Sequence, residues 1–173
     1  SVLIVNFNGG DVTPACLASL PAGVETIVVD NGSKDGSPDA IASTFPGVRL
    51  IRNAANRGFA AAVNQAMDVA RGRYFLLLNN DARLSPGAID VLLKHMEANP
   101  DVGMAAPQLL HEDGRLQHSF DNIPSLATAF LNKSLLRRLL PSAYPSKRQE
   151  YAEPLDVESV IGACMMVRRE VVD

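Results

Sequence analysis

This sequence predicts an α/β fold, an α/β/α sandwich with helices on both faces of a mostly parallel central sheet. Two observations carry that expectation. From residue 1 to about 110, short apolar runs rich in Val, Ile and Leu alternate with helix-like segments, the pattern of repeated strand–helix units. The residues just past each run are unusually polar, as they should be if a ligand sits at the carboxyl ends of the strands.

Ser1 to Phe7 reads as a buried strand stopped by Asn8-Gly9-Gly10. Asp11 to Leu20 follows as a helix, with Val12, Cys16, Leu17 and Leu20 on one face and Pro14 tolerated in the first turn. Glu25 to Asp30 is a second strand, ended by Asn31-Gly32-Ser33. Ser37 or Asp39 can cap a helix running to about Thr44, which Pro46-Gly47 breaks. Val48 to Arg52 forms a third strand. The Ala-rich stretch from Gly58 to Ala70 is helical, with Gly72 placed as its C-terminal cap. Arg73 to Leu78 is a fourth strand, the most apolar of all, and a helix spans about Pro86 to Ala98. Val102 to Ala106 and Ser159 to Arg168 read as later strands. Between them, from about Asp113 to Glu153, the alternation lapses into a long excursion. It carries Pro124, Pro141 and Pro145, with Pro154 adjoining, and a basic cluster of Lys133, Arg137, Arg138, Lys147 and Arg148.

Composition narrows the function classes. With 47% hydrophobic and 20% charged residues, the 173-residue chain can bury one ordinary domain core. A net charge of −3 without a dense basic stripe argues against a nucleic-acid partner. Cys16 and Cys164 lack metal-ligand spacing and read as reduced interior thiols. No apolar run approaches the roughly 20 residues of a spanning helix, and no charged preface of a signal peptide precedes the first strand. A cytoplasmic setting is the expectation. The ending at Arg169-Glu170-Val171-Val172-Asp173, a strand running into a turn, reads as a chain cut from a longer protein. His95, His111 and His118 show no ligand spacing. Neither a nucleophile elbow nor a phosphate-binding Walker loop occurs.

Four polar groups follow four elements. Asn6-Phe7-Asn8 ends the first strand, and Asp30-Asn31-Gly32-Ser33 ends the second. A carboxylate and amides at strand tips can read a base and ribose, although the same residues also serve as plain turn formers. Arg57-Gly58 opens the third helix, where free backbone amides and a fixed positive charge suit a diphosphate. Asn64 sits inside that helix at some cost in propensity, which suggests a polar role. The fourth strand runs straight into Asn79-Asn80-Asp81. One carboxylate there can hold a hard divalent cation when phosphate oxygens supply the other ligands.

Val28-Val29-Asp30-Asn31-Gly32-Ser33, then Asn56-Arg57-Gly58-Phe59-Ala60, then Leu77-Leu78-Asn79-Asn80-Asp81 resembles the signature of family-two glycosyltransferases. It is most similar to the bacterial branch containing rhamnosyltransferases. The resemblance is close over about residues 1 to 110 and returns at Gly162-Ala163-Cys164-Met165-Met166-Val167-Arg168-Arg169. It implies a single GT-A domain over 1–173, with 1–110 as the nucleotide-sugar-binding half and 111–173 as the start of the acceptor-side half. It implies inverting sugar transfer from a nucleoside-diphosphate sugar, leaning toward thymidine-diphosphate rhamnose, to a saccharide or lipid-linked acceptor. The implied donor site is Phe7, Asn8, Asp30, Asn31, Ser33, Arg57, Gly58, Asn64, Asn80 and Asp81. Asp81 would ligate magnesium or manganese, since Asn79 stands where the family motif begins with Asp. The family's general base comes from an acidic pair downstream of the Arg-Arg-Glu-Val stretch, beyond Asp173, so no base is assigned. Outside that resemblance, a nucleotidyltransferase or a sugar-nucleotide-binding module without turnover stays open.

Residues 126–140 place leucines at helical spacing beside Lys133, Arg137 and Arg138. A basic amphipathic helix there could rest on an anionic membrane. Packing of its leucines on the domain is the stronger reading, because the polar face is narrow.

Overall fold

The computed structural model describes residues 1–121, 123, 145–146 and 149–172. Two compact units are present: Ser1–Ala105 with Gly162–Asp173, and Ala106–Ile161.

The larger unit is built on a six-stranded sheet. Its strands are β1 (Val2–Asn6), β2 (Thr26–Asp30), β3 (Arg49–Arg52), β4 (Tyr74–Leu78), β5 (Met104–Ala105) and β8 (Cys164–Arg168), in the order β3-β2-β1-β4-β8-β5. β3, β2, β1 and β4 run parallel. β8 returns antiparallel between β4 and β5. In this register Asn6 lies beside Asp30, and Asp30 beside Arg52, so the first two strands end level with one another.

Helices α1 (Val12–Ala18), α2 (Ser37–Thr44), α3 (Phe59–Met67) and α4 (Ala88–Ala98) link the strands. Ala62, Ala66 and Ala70 bring α3 and its exit close to Leu3, Ile27, Val29 and Phe75. Val2, Ile4 and Val28 alternate to the opposite face and are buried as well. Both faces are therefore covered, which is why these strands read as continuous apolar runs.

Arg168 and Arg169 fasten the last strand to helix ends. Arg168 donates to the carbonyls of Met96 (2.5 Å), Asn99 (3.2 Å) and Val102 (3.2 Å), and its guanidinium lies over the Tyr74 ring. Arg169 donates to the carbonyls of Ala70 (2.6 Å) and Gly72 (3.0 Å) and lies over Phe75. Arg168 thus satisfies carbonyls left over where α4 finishes, and Arg169 those of the segment that leads from α3 into β4.

The smaller unit pairs β6 (Phe120–Asp121) antiparallel with β7 (Ser159–Val160). The Phe120 and Tyr151 rings meet edge to face at 6.3 Å.

Several sequence expectations need correction. The stretch Ser159–Arg168 is two strands, split at Ile161–Ala163, because its halves pair in different sheets. The strand expected over Val102–Ala106 is only Met104–Ala105. The helix face on α1 is rotated: Val12 is 46% exposed, whereas Thr13 is buried with Cys16 and Leu17. Neither Ser37 nor Asp39 caps α2; Gly36 holds that position at φ 79°. Gly72 is no helix cap, since α3 ends at Met67. A Cβ at Gly72 would lie 2.6 Å from the Ser1 nitrogen, so the residue is small to admit the chain's first strand. The 126–140 segment, with Lys133, Arg137 and Arg138, lies outside the described residues, as do Lys147 and Arg148.

Candidate functional site at the carboxyl ends of the strands

The polar residues at the tips of β1 and β2 form a closed network. Asn6 is wholly buried. Its Nδ2 donates to Asp30 Oδ1 (2.7 Å), Ser37 Oγ (2.8 Å) and Ser33 Oγ (3.2 Å), and its Oδ1 accepts from Thr13 Oγ1 (2.7 Å). Asp30, 3% exposed, also accepts the Ser33 backbone N–H at 3.1 Å, which closes the turn after β2. A buried carboxylate without donors would be strongly unfavourable; here both oxygens are bonded.

The turn is braced from the β1 side. Asn8, held at φ 50°, donates its backbone N–H to Ser33 Oγ (2.8 Å), and its side-chain oxygen accepts the Lys34 N–H (2.9 Å). Asp35 accepts from Ser37 and from the Gly10 N–H. These bonds, the Ser37 hydroxyl first, hold its carboxyl below the usual range. Phe7 is 47% exposed, next to the buried Asn6 and the exposed Asn8.

A second amide organises the loop before α3. Asn31 Nδ2 donates to Asn56 Oδ1 (2.9 Å) and the Gly58 carbonyl (3.2 Å); Asn31 Oδ1 accepts from the Arg57 N–H (3.0 Å) and Asn53 Nδ2 (3.2 Å). That fills the bonding capacity of the amide, so Asn31 shapes the Asn53–Gly58 loop. Gly32 lets the loop come close: a Cβ there would lie 2.8 Å from Ala55 backbone atoms, and its φ is +84°. Arg57 is exposed, and among the described residues its guanidinium has no ion pair. Gly58 precedes the first turn of α3. Asn64 is exposed further along α3, and none of the bonds joining the strand tips involves it.

The tip of β4 is different. The Asn79 N–H is fixed by the Ala163 carbonyl at 2.9 Å. Asn80 is half-buried and donates through Nδ2 to Thr13 Oγ1 at 3.0 Å. Asp81 is exposed, and among the described residues nothing donates to its carboxylate. Its charge still reaches Cys16, whose thiol burial chiefly, then Asp81, pushes up to about 12. Burial raises Cys164 to about 11. Both thiols therefore stay protonated and inert near neutral pH.

No group of three or more His, Cys, Asp or Glu side chains able to hold a metal occurs among the described residues. Asp81 is thus a lone open carboxylate, which suits a hard cation whose other ligands come from a phosphate ligand and water. An open hollow of about 960 Å³ lies elsewhere, around Ser1, Leu20, Glu25, Phe45 and Gly72. It borders the amino ends of the strands, and Glu25 there is already bonded by Ser1 and the Arg71 N–H. The polar strand tips, not this hollow, obey the ligand rule for such sheets.

The expected residues are thus partly gathered. Asp30 and Ser33 join through Asn6, Asn80 joins through Thr13, and Arg57 and Gly58 join through Asn31. Thr13 is the residue that sequence reasoning passes over as a site builder; that reasoning does place Asn6 at the tip of β1, but not as the hub that joins Asp30, Ser33 and Ser37. Thr13, Cys16 and Leu17 do stand at helical spacing, a signal that a search for apolar residues alone discards.

The whole chain, residues 1–173, matches the protein family described as Glycosyl transferase family 2. It is 32% identical over 189 residues to the N-acetylglucosaminyl-diphospho-decaprenol L-rhamnosyltransferase of Mycobacterium tuberculosis. That alignment takes in 97% of this chain and 61% of the relative, so the chain spans about three fifths of its length. The succinoglycan biosynthesis protein ExoO of Rhizobium meliloti is 30% identical over 132 residues, covering 72% of this chain and 38% of that protein. Among solved structures, the mannosyltransferase PcManGT from Pyrobaculum calidifontis, in complex with GDP-Man and Mn2+, superposes with a TM-score of 0.63 at 22% identity. It covers 99% of this chain and 44% of the other. The S. aureus TarS 1–349 complex with UDP-GlcNAc gives 0.58 at 16% identity, over 72% of this chain and 36% of that one.

Proposed function

From the premise that the chain belongs to glycosyltransferase family 2 and has its GT-A fold, we propose that it binds a nucleoside-diphosphate sugar across the tips of β2, α3 and β4. The observation that carries this reading is the contrast between two carboxylates on one sheet edge. Asp30 is buried and fixed, while Asp81 is exposed and, among the described residues, unbonded. Asp30, with Ser33 and the backbone around Phe7 and Asn8, reads the nucleoside. The Arg57 side chain and the amides of the first turn of α3 face the diphosphate, while the Arg57 and Gly58 N–H groups themselves are held by Asn31 and Asn56. Asn64, exposed further along α3, completes the proposed set. Asp81, with Asn80 beside it, would hold magnesium or manganese, which would supply positive charge against the leaving diphosphate.

In the inverting reaction the acceptor hydroxyl oxygen attacks the anomeric carbon from the face opposite the diphosphate. The bond from that carbon to the phosphate oxygen breaks, and its electron pair leaves with the nucleoside diphosphate. The hydroxyl proton passes to a general base, a role assigned to none of the described residues. The chain's own part is to bind, orient and hold the leaving group. Residues 1–110 do this donor work, and 111–173 begin the acceptor side.

The rhamnosyltransferase relative supports rhamnose as the transferred sugar and a lipid-linked saccharide as acceptor; thymidine diphosphate is the nucleotide proposed to carry it. Among the described residues no helix is long and apolar enough to cross a membrane. The proposed setting is the cytoplasm, at the inner face of the membrane that carries such an acceptor. Radiolabelled donor and a polyprenyl-diphosphate sugar, incubated with the full-length protein, test this directly. Label should enter the lipid phase with inverted anomeric configuration. Donor binding without transfer would support a binding module instead.

A further inference from the structure

The bonds between the strand tips run in one direction. The Asn80 amide donates to the Thr13 hydroxyl, which donates to the Asn6 side-chain oxygen; the Asn6 amide then donates to Asp30. A threonine hydroxyl has one proton. Once that proton goes to Asn6, Thr13 can only accept from Asn80, so the orientation of the Asn80 amide is set. Its Nδ2 faces Thr13, and its Oδ1 has no hydrogen bond among the described residues. Thr13 and Asn6 are both fully buried.

An independent observation shows that nothing else fits there. Gly9 is buried against the relay. A Cβ on it would overlap Thr13 Oγ1 and Asn6 Oδ1 and would stand 2.8 Å from Asn80 Nδ2. Chain, helix and both tips converge on one small volume that a single methyl would disrupt.

The geometry points to Thr13 as a positioning residue: through Asn6 it holds the Asn80–Asp81 tip in register with Asp30, so metal-assisted diphosphate binding is tied to nucleoside recognition. This rests on the proposed donor site, but it concerns residues of α1 and β1 that touch no ligand in that reading. Such a relay strengthens each bond by polarising the next and is disrupted as a unit.

Calorimetry on the whole chain separates the possibilities, with thymidine, thymidine diphosphate plus chelator, and thymidine diphosphate plus Mg2+ as probes, and uridine and guanosine diphosphates run beside them. Thr13→Val keeps the shape and removes the hydroxyl. It should lower the gain in affinity that Mg2+ confers by about tenfold, leaving thymidine binding within about twofold. Thr13→Ser should restore the gain, which a purely packing role would not predict. If wild type binds with Mg2+ and Thr13→Val binds equally, or serine fails to restore the gain, the relay is wrong while the donor site stands. If wild type binds none of the three diphosphates, the donor reading fails and takes the relay with it. Should Thr13→Val not fold, the wild-type side-chain NH2 resonances of Asn6 provide the second measurement. They should shift when Mg2+ is added to the diphosphate complex, and silence there would overturn the relay.

Discussion

The tips of β2 and β4 lie on the same sheet edge, separated only by β1, yet they treat their carboxylates in opposite ways. Asp30 is buried, with both oxygens bonded by Asn6 and the Ser33 backbone. Asp81 is exposed and unbonded among the described residues. A fixed carboxylate gives a rigid wall against which a base or ribose can be measured. An open one keeps its lone pairs for an exchangeable ligand and loses little stability by waiting for it. The lesson is that the same residue type near the carboxyl ends of two strands of one sheet can be architecture at one and reagent at the other. The discriminating feature is the donor set around it.

The most disruptive way to break the comparison is Asn6→Asp. It would place a second carboxylate where the Asn6 amide lies 2.7 Å from Asp30, with no solvent to screen the pair. Burying an unpaired charge of this kind costs about 3–5 kcal/mol. A drop of that size in urea unfolding is the expected outcome; a stability within about 0.5 kcal/mol of wild type would mean the network is not closed. Gly9→Ala comes next, at about 1–3 kcal/mol from overpacking against Thr13 and Asn6. Chemical denaturation checks it, and no loss would show that the relay has room. Asp30→Ala sharpens the comparison from the ligand side. It should weaken uridine or thymidine diphosphate binding about tenfold or more in a folded protein, as measured by calorimetry. Unchanged affinity would remove Asp30 from the site.

The smallest effect expected is at the thiols. Folding raises both cysteine pKa values, to about 12 and about 11. The sign follows from linkage: this stability is fully present below the unfolded thiol value of about 8.5 and is lost as pH rises toward the folded values. Between pH 6 and 8 the thiols should leave stability flat, and alkylation by iodoacetamide at pH 8 should be negligible until the chain is unfolded. Rapid labelling of the native protein would contradict the burial of Cys16 beside Asp81.

Much of this architecture is legible in the sequence for a physical reason. β1, β2 and β4 are buried on both faces, so their apolar runs stand out against polar tips, and Asp30 and Asp81 fall where a parallel sheet presents its ligands; β3, at the sheet's edge, keeps Arg49 and Arg52 exposed. What could not be read depends on partners distant in the chain. Thr13 is polar, and its burial makes sense only with Asn6 and with Asn80, 67 residues away. Asn31 looks like an ordinary turn residue until the Asn53–Gly58 loop closes on it. Gly72 imitates a helix cap, although its small size serves the approach of Ser1. The reversal of β8 leaves no mark in hydropathy, because a strand inserted antiparallel between β4 and β5 is as apolar as a parallel one. The break between β7 and β8 is hinted at only by Gly162.

Asp81 is the most direct test of the central claim that one tip reads the nucleotide and the other holds its metal. The measurement is calorimetric titration of thymidine diphosphate into wild type and Asp81→Asn, each with Mg2+ and with chelator. Wild type should bind about tenfold or more tightly with Mg2+. Asp81→Asn should bind equally with and without it, at the wild-type chelator value, and should unfold at the wild-type temperature, because nothing in the described fold leans on that carboxylate. A Mg2+ effect that survives Asp81→Asn undiminished would contradict the assignment of the β4 tip, and with it the contrast between the two carboxylates.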